Sequence, residues 1–252
     1  MKIVCIGSGN VASHMAGAFK LKGHDLLQVW SRSVANAAEL ADTVGASPIS
    51  SLEALDRDAD IYLIAVKDDA IASVAQALIG VQGLVLHTSG STSIAELSRL
   101  DNYGVLYPLQ TFSKMKALDF ENVPLCLEAK DPALLQRLRS IAGEVSRVVY
   151  EVDSEQRKVL HLAAVFACNF VNHLYNLSEQ LLMDNQLSFD MLRPLIMETA
   201  IKVQDENPAK VQTGPAVRDD KQTISKHIEM LHSQPHLQEI YQTLTKSIKK
   251  SH

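Results

Sequence analysis

At 252 residues the chain is long enough for one large domain or two modest ones, and its 46% hydrophobic and 21% charged content is that of a globular protein with a sizeable core. A net charge of −5 without any basic block gives no electrostatic reason to expect a nucleic-acid partner. No stretch approaches the roughly 20 uninterrupted apolar residues of a membrane helix, and Gly7 arrives before a signal peptide's apolar run could form. Cys5, Cys126 and Cys168 stand in apolar contexts without C-x-x-C or other metal-ligand spacing, which reads as buried free thiols in a reducing cytoplasm.

In chain order, residues 2–6 (KIVCI) predict a strand buried on both faces. Asn10–Lys22 predicts a helix that Gly23 ends, Leu26–Trp30 a second strand, and Ala35–Val44 a helix closed by Gly45. Asp60–Val66 and Leu84–His87 predict further buried strands, separated by a helix over 69–79. Ser93 and Glu96 have the spacing of a capping box opening another helix. Val105–Tyr107 and Pro124–Leu127 are short strands, 132–142 a helix, and Arg147–Glu151 the last strand. Strand and helix in alternation predict an α/β fold with a doubly wound parallel sheet over residues 1–152. Residues 153–252 carry only helical patterns, so the second domain is expected to be all-α. Its end, KSIKKSH, reads as the solvated last turn of a helix.

Gly7-Ser8-Gly9-Asn10-Val11-Ala12 follows the first strand and opens the first helix, the setting in which G-x-G-x-x-G/A signals dinucleotide binding. Gly7 permits the tight turn, Gly9 leaves room for a pyrophosphate, and Ala12 is small enough for the helix to pack on the sheet. About 20 residues on, where an acidic residue would hold the ribose of NAD, stand Ser31, Arg32 and Ser33. A guanidinium flanked by hydroxyls suits a 2′-phosphate, so NADP(H) is expected as cofactor. Val66-Lys67, at one later strand end, and Ser89, in the HTSGS loop at another, are expected along the same crevice. Asp68 or Asp69 has helix capping as its first reading, and the hydroxyls of 88–91 serve equally well a ligand or their own turn.

The helix expected over 154–182 places Lys158, His161, Asn169, Asn172 and Asn176 within roughly 80° at 3.6 residues per turn. The rest of its wheel is mostly apolar, so this narrow polar stripe predicts an internal surface whose groups meet a substrate, the first domain or a second subunit. Hydride transfer to a carbonyl or imine needs a proton donor. His161 is the first candidate, with Lys158 as alternative or helper, Asn169 and Asn172 as substrate-orienting amides, and His87 as a further candidate. In TGPAVRDD (213–220), Arg218 could hold a substrate anion or brace the turn against Asp219 or Asp220.

With GSGNVA at 7–12, HTSGS at 87–91, YPLQTFS at 107–113, the 158–172 helix and TGPAVRDD followed by Thr223 and His227, the chain resembles the DUF2520 family. The resemblance spans nearly the whole chain and implies a Rossmann-like NADP-binding domain joined to a helical domain, related to pyrroline-5-carboxylate reductase, ketopantoate reductase and the β-hydroxyacid dehydrogenases. Some members carry names invoking coenzyme F420. The catalytic Lys-x-x-x-Asn of two of those relatives does not transfer, because Leu162 lies four residues after Lys158. Glycine usually follows the family arginine, and Asp219 stands there instead. The resemblance also implies a homodimer built by the helical domain.

The expectation is therefore an NADP(H)-dependent oxidoreductase acting on a carbonyl or imine of a small, anionic metabolite bound between the domains. The alternative is a non-catalytic NADP(H)-binding protein whose helical domain serves dimerisation or a partner.

Overall fold

The structure is a computed structural model that describes residues 1–113 and 118–251, so His252 of the Lys-rich end lies outside the described residues. The chain divides into two compact units, Met1–Asn169 and Phe170–His252.

The first unit runs β1 (Lys2–Ile6), α1 (Asn10–Leu21), β2 (Asp25–Trp30), α2 (Val34–Val44), β3 (Ser47–Ile49), β4 (Ile61–Ile64), α3 (Ile71–Ala77), β5 (Leu84–His87), β6 (Tyr103–Pro108), β7 (Leu125–Ala129), α4 (Pro132–Val145), β8 (Val149–Glu151) and α5 (Ser154–Ala164). Among the described residues its strands form one sheet in the order β3-β2-β1-β4-β5-β6-β7-β8. Every pair is parallel except β6 with β7. Alternation along β1 sends Ile3 and Cys5 to one face, against Met15 and Phe19 of α1, and Val4 and Ile6 to the other, against Ile71 and Val74 of α3. Burying each such side chain contributes about 1.5–3 kcal/mol, so the central strands anchor the unit. The connections leave β1 in opposite directions, to β2 and to β4, and this switch point opens a crevice at the strands' carboxyl ends.

Several local expectations need correction. Ser93 caps no α-helix: its Oγ accepts from Ala95 N at 3.2 Å and opens a 3-10 turn, Ile94–Leu97, held from outside by Ser154 Oγ on Ile94 N. The helix after β4 begins as a 3-10 turn, Asp68–Ala70, before α3. β3 went unseen because it is three residues long and contains Pro48, tolerated only at a sheet edge. Cys5 and Cys126 are buried, the Cys5 thiol pushed up to about 12 by desolvation, but Cys168 is exposed.

The continuous helix expected over 154–182 is broken. α5 gives way to a π-helical segment, Val165–Phe170, before α6 (Val171–Asp184) of the second unit. A π turn bonds i to i+5 and carries an extra residue, so positions beyond it leave the phase set by Lys158 and His161. Nor is the apolar surround of the stripe buried: Val159, Leu162, Phe166 and Phe170 are all exposed.

Among its described residues the second unit carries helices and no strand: α6, α7 (Arg193–Asp205), α8 (Pro208–Val211), α9 (Lys221–Met230) and α10 (Pro235–Ser251). Asp220 caps α9, its Oδ1 accepting from Thr223 N at 3.0 Å. Asp219 adopts φ +50°, in the left-handed region that favours glycine, and Lys249 and Lys221 pair with its carboxylate. No described helix is long and apolar enough to cross a membrane.

Candidate active site

A cleft of about 790 Å³ opens at the carboxyl ends of β1, β2, β4, β5 and β6. Its floor is the glycine turn. Gly7 takes φ +131°, and a Cβ there would lie 2.1 Å from the Ala65 carbonyl oxygen, so the turn can press against the end of β4 only as glycine. At Gly9 a Cβ would meet nothing within 4 Å, which leaves open space above the backbone. α1 starts there with no side-chain cap and no acidic residue in its first turn, so its leading N–H groups and positive dipole end remain for an anion. Ser8 and Val11 line the cleft, whereas Ala12 is wholly buried against the sheet. Asn10 lines it too, but its amide donates to Phe112 O at 2.9 Å, tying the segment after β6 to α1.

At the end of β2 the three expected phosphate contacts separate. Ser8 Oγ donates to Ser31 Oγ at 2.9 Å, fastening the first turn to the second. Ser33 is spent as the N-cap of α2, its Oγ accepting from Asn36 N, and does not line the cleft. Arg32 is exposed, lines the cleft, and makes no hydrogen bond or ion pair to another described residue. Val66 and Lys67 continue the wall from β4. Ser89 lines it as well, yet its hydroxyl accepts from Ser91 N and Thr92 N and donates to Thr92 Oγ1, so it serves its own turn. Asp68 is hydrogen-bonded by Ser91 Oγ.

The far end holds His161, projected from α5. Its Nδ1 lies 3.1 Å from Tyr107 Oη, at the end of β6, with the rings edge to face. Desolvation pushes the Tyr107 hydroxyl up to about 12. Gly90 makes this pairing possible: a Cβ there would sit 2.7 Å from His161 Nδ1 and 2.8 Å from Tyr107 Cζ. Tyr107 and Gly90 were visible in the sequence only as members of motifs. No spacing rule pairs Tyr107 with a residue 54 positions away.

The other catalytic candidates are not gathered here. Lys158 stands off the cleft and pairs with Glu155 at 2.7 Å. Asn169 is exposed on the π-helical segment, outside the cleft lining. Asn172 belongs to the second unit, where with Asn176 and Arg193 it lines a separate cleft of about 560 Å³. Arg218 is exposed in that unit, its charge helping to hold the Asp220 carboxyl below the usual range after the hydrogen bonds from Thr223. His87 is wholly buried and absent from the lining. Desolvation, then the charge of Arg157, lowers it to about 3, and its Nδ1 faces Ser89 N at 3.2 Å. A neutral ring beneath the surface is no acid.

Arg157 itself was missed. Fully buried, it pairs with Glu128 of β7, donates to Thr92 O at 2.6 Å, and with Ser154 ties α5 to the sheet. It thereby fixes the helix from which His161 projects one turn later.

The residues present fit a dinucleotide phosphate: an uncapped helix start above an open glycine, and at the β2 end a guanidinium with no partner among the described residues. Residues 2–86 match the family described as NADP oxidoreductase, coenzyme F420-dependent, and residues 123–248 match the domain of unknown function DUF2520. The chain is 42% identical to a Bacteroides fragilis protein provisionally described as an NADP oxidoreductase, with a TM-score of 0.94 over 99% of this chain and 98% of that one. Two more distant structures share the fold. An imine reductase from Myxococcus stipitatus in complex with NADP+ is 15% identical, with a TM-score of 0.67 over 100% of this chain and 93% of that one. A 1-pyrroline-5-carboxylate reductase from Streptococcus pyogenes is 14% identical, with a TM-score of 0.66 over 99% and 98%. No curated protein matches the chain. Fold and family together define an oxidoreductase of the NADP class. Within that class, the chain belongs to the DUF2520 family.

Proposed function

We propose that the protein reduces a carbonyl or imine of a small, anionic metabolite with NADPH, and that His161 supplies the proton. The observation carrying this reading is one cleft with an anion-ready glycine turn and, at the same end, an arginine without a partner among the described residues, and a histidine at the other. NADPH, when bound, supplies a hydride to carbon. Gly7, Ser8, Gly9 and the first turn of α1 hold its pyrophosphate, and Arg32 holds the 2′-phosphate by charge-assisted hydrogen bonds. Lys67 and Val66 flank the same wall, and His161 faces the reacting heteroatom at the opposite end. The similarity in fold to an imine reductase and a pyrroline-5-carboxylate reductase favours cyclic imines among the substrates to try.

The protein is assigned to the cytoplasm, where Cys5, Cys126 and the exposed Cys168 stay reduced. It works as a homodimer: the stripe Val159, Leu162, Phe166 and Phe170, and Leu195, Met197 and Ile201 of α7, are exposed apolar surfaces that a second copy would cover. A screen following NADPH absorbance across keto acids, cyclic imines and, in reverse, hydroxyacids tests the function. Oxidation of NADPH by one of these classes is the expected result. Tight NADPH binding with no turnover of any would instead support a non-catalytic binding protein.

A further inference from the structure

We propose that Tyr107 is a positioning residue for His161, its hydroxyl occupying Nδ1 so that a hydrogen always stands on Nε2 toward the cleft. This rests on the reading of His161 as proton donor, but its physical content is separate from turnover. Nδ1 is 3.1 Å from Tyr107 Oη and lies where a Cβ on Gly90 would stand, while His161 lines the cleft and its Nε2 makes no hydrogen bond among the described residues.

The direction of the hydrogen bond follows from what each partner can do. Tyr107 is buried to 9% exposure, and its hydroxyl contacts no other acceptor among the described residues. It remains protonated at neutral pH, because burial raises it. If neutral His161 kept its hydrogen on Nδ1, that N–H would donate to Oη and the phenol's own hydrogen would have no acceptor among the described residues. With the hydrogen on Nε2, Tyr107 donates to the Nδ1 lone pair and both groups are satisfied. When the ring is protonated, the phenol rotates and accepts from Nδ1–H. In both charge states an N–H stands on Nε2.

Gly90 is the second part of the device. Its missing Cβ is the space in which the two rings meet. Gly90→Ala therefore separates them while leaving both side chains in the chain.

The test is nitrogen NMR of the protein labelled at its nine histidines, free of ligand, with the His161 signals assigned by their loss in His161→Asn. At a pH where the ring is neutral, the wild type should show a pyridine-type Nδ1 and a pyrrole-type Nε2. In Tyr107→Phe, and independently in Gly90→Ala, both resonances should move toward the averaged positions of a tautomer mixture, with the thermal midpoint and NADPH affinity confirming an intact fold. A pyrrole-type Nδ1 in the wild type, or signals unchanged in Tyr107→Phe, would overturn the proposal. Because no substrate enters the experiment, failure of the function screen leaves this result standing, and the reverse holds as well.

Discussion

Arg32 is the residue proposed here to separate an NADP site from an NAD site. A carboxylate at the end of β2 would repel a 2′-phosphate, whereas a guanidinium with no competing partner among the described residues can bind it. Charge-assisted hydrogen bonds of this kind are each worth about 1.5–3 kcal/mol, roughly 10- to 100-fold in affinity. Arg32→Ala should therefore weaken NADPH binding by about that factor in a fluorescence titration and leave NADH nearly unchanged. An unaltered NADPH/NADH ratio would remove Arg32 from the site. Ser33, its neighbour in sequence, is not expected to contribute, because capping α2 already engages its hydroxyl. That distinction was invisible in the sequence, where Ser31 and Ser33 stood as two like hydroxyls flanking Arg32.

At the scale of elements, α5 carries the account, since it holds His161 against the sheet. Its anchor is the buried Arg157–Glu128 pair. Removing one partner strands the other's charge, at a cost of about 3–5 kcal/mol, so Arg157→Met should lower the urea unfolding free energy by roughly that much. The double substitution Arg157→Met with Glu128→Leu should recover part of it, because no lone charge remains. A loss under 1 kcal/mol in the single variant would mean that α5 is held by its apolar contacts alone. Elements with strong local patterns were the legible ones: the buried runs of β1, β4 and β5, the glycine turn, and the end of α2 at Gly45, whose φ of +71° is a left-handed cap. What stayed hidden depended on distant partners. The π segment, the Tyr107–His161 contact and the role of Arg157 arise from packing across 54 and 29 residues of sequence or from a shift in helical register. An ideal 3.6-residue wheel therefore aligned Asn169 with His161 on paper, and the π segment on which Asn169 sits departs from that register.

For the whole molecule, His87 couples stability to pH. Folded His87 takes up a proton only near pH 3, while in the unfolded chain it does so near its ordinary 6.5. Unfolding therefore binds a proton between those values, and stability falls as pH drops through that window, by about 2 kcal/mol from this residue by pH 5. Denaturant midpoints at pH 7.5 and 5 should show the decline, and His87→Gln should flatten it even if that variant is less stable at pH 7.5. The exposed apolar stripe from Val159 to Phe170 belongs to the same scale: sedimentation should give a dimer, and Phe166→Asp should shift it toward monomer. Above these stands the claim that the cleft reduces a substrate with His161 as its acid. The most direct measurement is single-turnover oxidation of saturating NADPH by the best imine or keto acid, in the wild type and in His161→Gln. The expected result is a loss of about 100-fold or more in rate with NADPH affinity unchanged, as removal of a general acid gives. A His161→Gln protein that turns over at the wild-type rate would contradict it.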